Sequence, residues 1–201
     1  GGGIGEVRLF HNQKLVRTVR VDAPGKEIYE GTAAIQAVAG ENEVGIIAYN
    51  RQNSVQGITQ TASFQFDAPP KDPDLYIVGI GIGQYRLKDV NLPLAAKDVL
   101  DITKALSARM KSLYQPPKVH VELLVDGITE GGVTREQILN RLRELAGKLQ
   151  PDDQLVIFVA SHGLLWNGQY YVVTHDYDGH FGPDQGISAS EIMDASRDIK
   201  A

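Results

Sequence analysis

A Ser-His-Gly sequence with His162 at its centre follows directly on an apolar run, residues 154–160 (QLVIFVA). That run has the length and composition of a strand buried on both faces of a parallel sheet. Small neighbours, Ser161 and Gly163, leave the imidazole accessible. Because histidine titrates near neutral pH, it can move protons in catalysis. His162 is therefore the candidate catalytic residue, and a structural histidine packed against Trp166 is the alternative.

The segments before this histidine alternate between strand and helix patterns. Residues 75–82 and 119–125 are apolar, strand-like runs, and residues 94–113 place apolar side chains at helical spacing. A second amphipathic helix is expected to start at Thr134, which is of a residue type that often caps the amino terminus of a helix. The repeated β-α-β order predicts an α/β fold with a mostly parallel sheet and helices on both faces. Active sites of such sheets lie at the carboxyl ends of the strands.

The segment after the histidine predicts a small β-ribbon and an acidic loop. Asn167-Gly168, between two β-favouring runs, is a strong hairpin signal. A helical stretch is expected to begin at Ser188 and Ser190. Aspartates are frequent between these elements, and oxygen-rich clusters suit calcium, although their spacing does not match an EF-hand loop. We therefore predict no cofactor and keep calcium as an open alternative; the aspartates concerned are Asp176, Asp178 and Asp184.

The first third of the chain has a different character. Residues 4–66 contain short alternating runs separated by turn residues, which predict a small antiparallel β-sandwich with a packing or spacer role. Strands are expected at residues 29–38, 43–50 and 58–66. A proline-rich linker at residues 67–73 follows. We accordingly place an all-β domain at residues 1–70 and an α/β domain at residues 71–201.

Composition excludes several classes of function. The 201 residues carry a formal charge of -5 and show no Lys/Arg cluster, which argues against nucleic acid as a partner. No apolar run approaches the roughly 20 residues of a membrane span. The amino terminus does not resemble a signal peptide, so a cytoplasmic location is the expectation. The chain has no cysteine, which excludes disulfides, cysteine-ligated zinc and a cysteine nucleophile within this polypeptide.

The order of the motifs resembles the caspase and metacaspase superfamily of cysteine peptidases. The resemblance covers about residues 74–195 and rests on a first strand at residues 75–84 (LYIVGIGIGQ), Asp98 in the sequence LAAKD, Asp126 followed by TREQI, the Ser-His-Gly sequence, the Asn-Gly ribbon and Asp-Tyr-Asp. The β-region before them resembles immunoglobulin-like modules found upstream in some bacterial members. The implied fold is a caspase-like α/β domain after an immunoglobulin-like sandwich.

The resemblance implies a role for three residues. His162 matches the catalytic histidine, Gly163 a backbone donor to the oxyanion, and Asp98 the acidic position of a pocket for Lys or Arg. Arg86 is the nearby candidate for a pocket that would instead accept Asp. The cysteine is expected beyond Ala201, so this chain alone is expected to be inactive. Its implied partners are a protein or peptide substrate and the C-terminal remainder of the domain.

Two other classes of function stay open on the sequence. The first is a non-catalytic caspase-fold scaffold or protein-binding module, which the lack of cysteine in this chain permits. The second is a nucleotide or flavin binder on an α/β sheet. The glycines at residues 79–83 lack both the G-x-G-x-x-G spacing and the lysine of a phosphate loop, which counts against nucleotide binding.

Overall fold

The computed structural model describes residues 3–21, 28–69 and 71–198. The chain divides into two compact units, Gly1–Lys71 and Asp72–Ala201. No helix in the described ranges combines the length and apolar character needed to cross a membrane.

The first unit is built on one antiparallel sheet. Its strands are β1 (Ile4–His11), β2 (Lys14–Arg20), β3 (Gly40–Asn50) and β4 (Gln60–Phe66), in the order β2-β1-β3-β4. The turn between the first two strands has Asn12 and Gln13 in the left-handed region, at φ values of 47° and 68°. The all-β character of this part of the chain is thus confirmed.

Two details of the first unit differ from the expectation. Residues 28–39 form no strand; the segment is rich in alanine, which favours strands weakly, and most of its residues are exposed and bury no apolar face. Within residues 3–21 and 28–69 the named strands make a single sheet, whereas a sandwich needs two. The segment before β3 is held instead by buried Asn42, which accepts from the Val38 N–H at 2.9 Å and from His11 Nε2 at 2.8 Å.

The second unit contains a three-stranded parallel sheet. Strand β5 (Leu75–Gly81) leads to helix α1 (Ala95–Met110), β6 (Val119–Val125), α2 (Arg135–Lys148) and β7 (Gln154–Ala160). The order is β6-β5-β7, with both neighbours parallel to β5. The predicted mixed α/β fold with a parallel sheet is confirmed at this level.

Helices α1 and α2 pack on opposite faces of β5, because successive residues of a strand point to opposite faces. Val78 and Ile80 join the buried cluster that contains α2 residues such as Leu142. Gly79 and Gly81 face the other way, where α1 approaches the backbone closely. Glycine is required there because a Cβ at Gly79 would stand 2.6 Å from Cγ1 of Val99.

The predicted start of α2 is confirmed by a capping box. The N–H of Gln137 donates to Oγ1 of Thr134, and the N–H of Thr134 donates to Oε1 of Gln137 at 3.0 Å. These two bonds satisfy donors that the first turn of a helix leaves unpaired. The entry to α2 is therefore encoded locally.

A small antiparallel ribbon completes the second unit. Strands β8 (Gly163–Trp166), β9 (Gln169–Val173) and β10 (Gly186–Ser188) lie in the order β10-β9-β8, and helix α3 (Ala189–Asp198) follows. Asn167 and Gly168 form the turn at φ values of 50° and 76°, as a type I′ hairpin requires. The predicted hairpin and the helix after Ser188 are both confirmed.

Candidate functional site

The site lies at the carboxyl ends of the three parallel strands, where their loops meet. Parallel register aligns Gly81 of β5 with Val125 of β6 and Ala160 of β7. Asp126, directly after β6, accepts from the backbone N–H groups of Gly83 at 2.6 Å and Gln84 at 2.7 Å. The loop that follows β5, residues 82–94, is therefore bound to the end of β6.

His162 lies between β7 and β8 and is half-buried. Its Nε2 lies 2.7 Å from the carbonyl oxygen of Val90. Because a carbonyl oxygen only accepts, Nε2 carries the proton and the neutral ring has its lone pair on Nδ1. No described residue forms a hydrogen bond with Nδ1. The imidazole is thus held in the tautomer that offers Nδ1 as a base.

The aromatic neighbour of His162 is Tyr85. The two ring centroids are 5.3 Å apart, and the Tyr85 hydroxyl accepts from the backbone N–H of His162 at 3.0 Å. Trp166 packs instead against Tyr171 and Phe181, at centroid distances of 6.1 and 6.0 Å. Among the described residues, the histidine is therefore not packed as the Trp166 alternative predicted.

Gly163 has a backbone N–H outside the hydrogen-bond ladder of the ribbon. It lies opposite Val172, and the Val173 N–H donates to the His162 carbonyl at 2.9 Å, which marks Gly163 and Val172 as a non-hydrogen-bonded pair. The amide of Gly163 consequently points away from β9. A Cβ at this position would meet Cζ of Tyr170 at 2.9 Å, so the tyrosine ring occupies the side where a side chain would extend.

Asp98 lies on the first turn of α1 and is exposed. It lines a groove of about 390 Å³ that Ser161, the neighbour of His162, also lines. The remaining walls are mainly apolar and include Leu92, Leu94 and Val159. The fold thus brings the predicted specificity carboxylate and the histidine segment to one groove.

Arg86 and the acidic loop are engaged with each other. The Arg86 guanidinium forms an ion pair with Asp176 at 3.0 Å. Asp178 accepts from the backbone N–H of His180, and this bond lowers the pKa of the Asp178 carboxyl. Within the described ranges, no three His, Asp or Glu side chains are grouped as a metal site requires. The carboxylates of Asp176 and Asp178 are bound to protein groups in the structure.

Sequence reasoning missed three residues that build this site. Val90 binds His162 through its backbone carbonyl, and no pattern of side chains can predict such a contact. Tyr85 sits in a loop where an aromatic residue has no periodic partner. Asp126 has a usable signal, because a carboxylate directly after an apolar strand lies at the carboxyl edge of the sheet.

No protein-family model matches this chain, and a search of the curated proteins finds no match either. The described residues form a mixed α/β structure with a small parallel sheet and two antiparallel sheets.

Proposed function

We propose that this chain is the histidine-bearing part of a caspase-like cysteine endopeptidase with a preference for cleavage after Lys or Arg. One observation supports this proposal above the others. His162 follows the third parallel strand at the carboxyl edge of the sheet, and its Nε2 is bound by the Val90 carbonyl. An imidazole fixed in this way presents Nδ1 for proton transfer.

The proposed chemistry uses a cysteine supplied from outside residues 1–201. His162 Nδ1 accepts the thiol proton, and the thiolate attacks the scissile carbonyl carbon to form a tetrahedral intermediate. The carbon–nitrogen bond then breaks while Nδ1–H donates the proton to the leaving amine. Water hydrolyses the resulting thioester. The Gly163 N–H, which the ribbon ladder does not use, suits the oxyanion; such donors contribute roughly 3 kcal/mol in other enzymes.

Strand β7 offers a place for the segment that would carry the cysteine. Among the described residues it pairs with β5 on one side and with no strand on the other. Its sequence QLVIFVA contains no charge and no proline, two features with which edge strands normally prevent further pairing. A parallel strand added to β7 would end at the carboxyl edge of the sheet, on the same side as His162.

The groove beside Ser161 supports a preference for basic side chains. Its apolar walls suit the aliphatic stem of Lys or Arg, while Asp98 supplies a carboxylate for the charged end. Arg86, the candidate for binding an acidic side chain, is paired with Asp176. The described charges thus favour a basic substrate side chain over an acidic one.

The test is peptidase activity of a longer polypeptide that contains this chain and its downstream segment. Fluorogenic peptides ending in Arg, Lys or Asp are compared with and without calcium. We expect cleavage after Arg and Lys, and a loss of about 10²- to 10⁴-fold in kcat in the His162→Ala variant. The matched control is His180→Ala at an exposed position of the acidic loop.

Two results would contradict the proposal. One is the absence of a cysteine from the downstream segment. The other is a folded longer polypeptide that cleaves none of these peptides. Either result would favour the alternative, a non-catalytic caspase-fold scaffold or protein-binding module.

A further inference from the structure

We infer that Tyr85 is a positioning residue for His162, whose hydroxyl holds the histidine backbone so that the imidazole donates from Nε2 and keeps Nδ1 free. This inference rests on the proposed function, because it assigns the control of the catalytic base. The contacts that carry it belong to one loop, residues 82–94, and to the end of β7.

The Tyr85 hydroxyl joins two strand ends. It donates its proton to the carbonyl of Ile82 at 3.0 Å and accepts the N–H of His162 at 3.0 Å. The side chain is only 3 % exposed, so water cannot easily replace either bond. Burial also raises the pKa of the Tyr85 phenol, which keeps the hydroxyl protonated as the bond to Ile82 requires.

The ring of Tyr85 restricts the imidazole as well. It packs at a centroid distance of 5.3 Å and a plane angle of 40° from the His162 ring. The hydroxyl contact fixes the histidine main chain, and the ring contact limits rotation of its side chain. Together they direct Nε2 towards the Val90 carbonyl.

Tyr85 and Val90 belong to one loop that is anchored by hydrogen bonds at several points. The Tyr85 N–H donates to Oδ1 of Asn91 at 2.9 Å, and the Leu92 N–H donates to the Gly83 carbonyl at 2.8 Å. Asp126 binds the beginning of the same loop through two N–H groups. The loop therefore forms hydrogen bonds with His162 at two points, the backbone N–H and Nε2. The conformation of the loop sets the distance between the two acceptors, the Tyr85 hydroxyl and the Val90 carbonyl.

The inference is tested on the ¹⁵N-labelled chain by NMR, without any need for activity. In the wild type near pH 8, we expect the imidazole ¹⁵N shifts of His162 to show a protonated Nε2 and an unprotonated Nδ1. In Tyr85→Phe, we expect a mixture of both tautomers and about tenfold faster exchange of the His162 amide proton. Tyr76→Phe is the control, since Tyr76 lies near the amino ends of the parallel strands, far from the carboxyl ends where His162 lies. Its ring stacks on that of His120 at a centroid distance of 4.5 Å.

A folded Tyr85→Phe protein with wild-type shifts and exchange at His162 would overturn the inference. If this variant does not fold, amide exchange in the wild type still tests the inference. The His162 amide should exchange much more slowly than that of Gly163, which the ladder leaves unbonded, and equal rates would overturn the inference. A longer polypeptide without peptidase activity would refute the proposed function alone, because the tautomer measurement does not depend on catalysis.

Discussion

The backbone N–H of Tyr85 donates to the side-chain oxygen of Asn91 at 2.9 Å, which ties the two halves of loop 82–94 together. The residue before Asn91 is Val90, whose carbonyl binds Nε2 of His162. Asn91 therefore stands between the two groups of the loop that contact the histidine. Among the described residues its side chain forms no hydrogen bond with the imidazole, so we expect its influence on the base to pass through the backbone.

We expect Asn91→Ala to lower kcat of the longer polypeptide by about tenfold with little change in KM, because small misplacements of a catalytic group cost rate before they cost binding. Asn91→Asp keeps an oxygen acceptor for the Tyr85 N–H and should retain most of the rate. Steady-state kinetics of the two variants provide the measurement. Equal losses in both would show that the acceptor oxygen is not what matters.

Asp98 gives a second prediction, on specificity. Asp98→Asn should lower kcat/KM for Arg and Lys peptides by about tenfold or more, since the groove loses its carboxylate. Asp101→Asn is the matched control, because Asp101 lies on the same helix and pairs with Lys97. An unchanged preference for Arg and Lys peptides in Asp98→Asn would show that Asp98 does not bind the substrate side chain.

The contact between β5 and α1 allows a prediction on stability. Gly79→Ala would place a Cβ 2.6 Å from Cγ1 of Val99 and 2.7 Å from Cγ2 of Thr103, and overpacking of this kind costs about 1–3 kcal/mol. Gly147→Ala in α2 meets no atom within 4 Å and should stabilise the protein by about 0.5–1 kcal/mol. Denaturant unfolding measures the free energy of unfolding, which should decrease in Gly79→Ala and increase in Gly147→Ala.

Asp74 predicts a dependence of stability on pH. The hydrogen bond from His120 Nε2, 2.7 Å long, is the main cause that lowers the pKa of the Asp74 carboxyl from its ordinary 3.8, and Lys118 adds to it. A lowered folded-state pKa stabilises the fold above the unfolded value, and this contribution is lost as pH falls through the folded value. We expect the unfolding midpoint to decrease below about pH 4, and to decrease less in Asp74→Asn.

The control for Asp74 is Asp89→Asn at an exposed position. It should leave the acid limb of the stability profile as in the wild type. An identical pH profile for the wild type and Asp74→Asn would contradict the assigned role of the His120 bond.

Local signals in the sequence were sufficient for several elements. The apolar runs at Val119–Val125 and Gln154–Ala160 are strands with the expected bounds, because a buried parallel strand needs a continuous apolar run. Asn167-Gly168 forms a turn and Thr134 caps a helix through contacts with residues close by in the sequence. Both features could therefore be predicted without knowledge of the fold. The expectation of a strand failed at residues 29–38, where weak alternation could not outweigh low strand propensity.

The sequence by itself determined the strand and helix order from Leu75 to Ala160, the position of His162 after the last of these parallel strands, and the absence of a cysteine. Only the tertiary structure decided what surrounds the histidine. Parallel register brings three strand ends to one edge, and this places Tyr85, Val90 and Asp126 at the site although they are distant in sequence from His162. The decisive contact uses a main-chain carbonyl, and because every residue has one, no pattern of side chains could have singled it out.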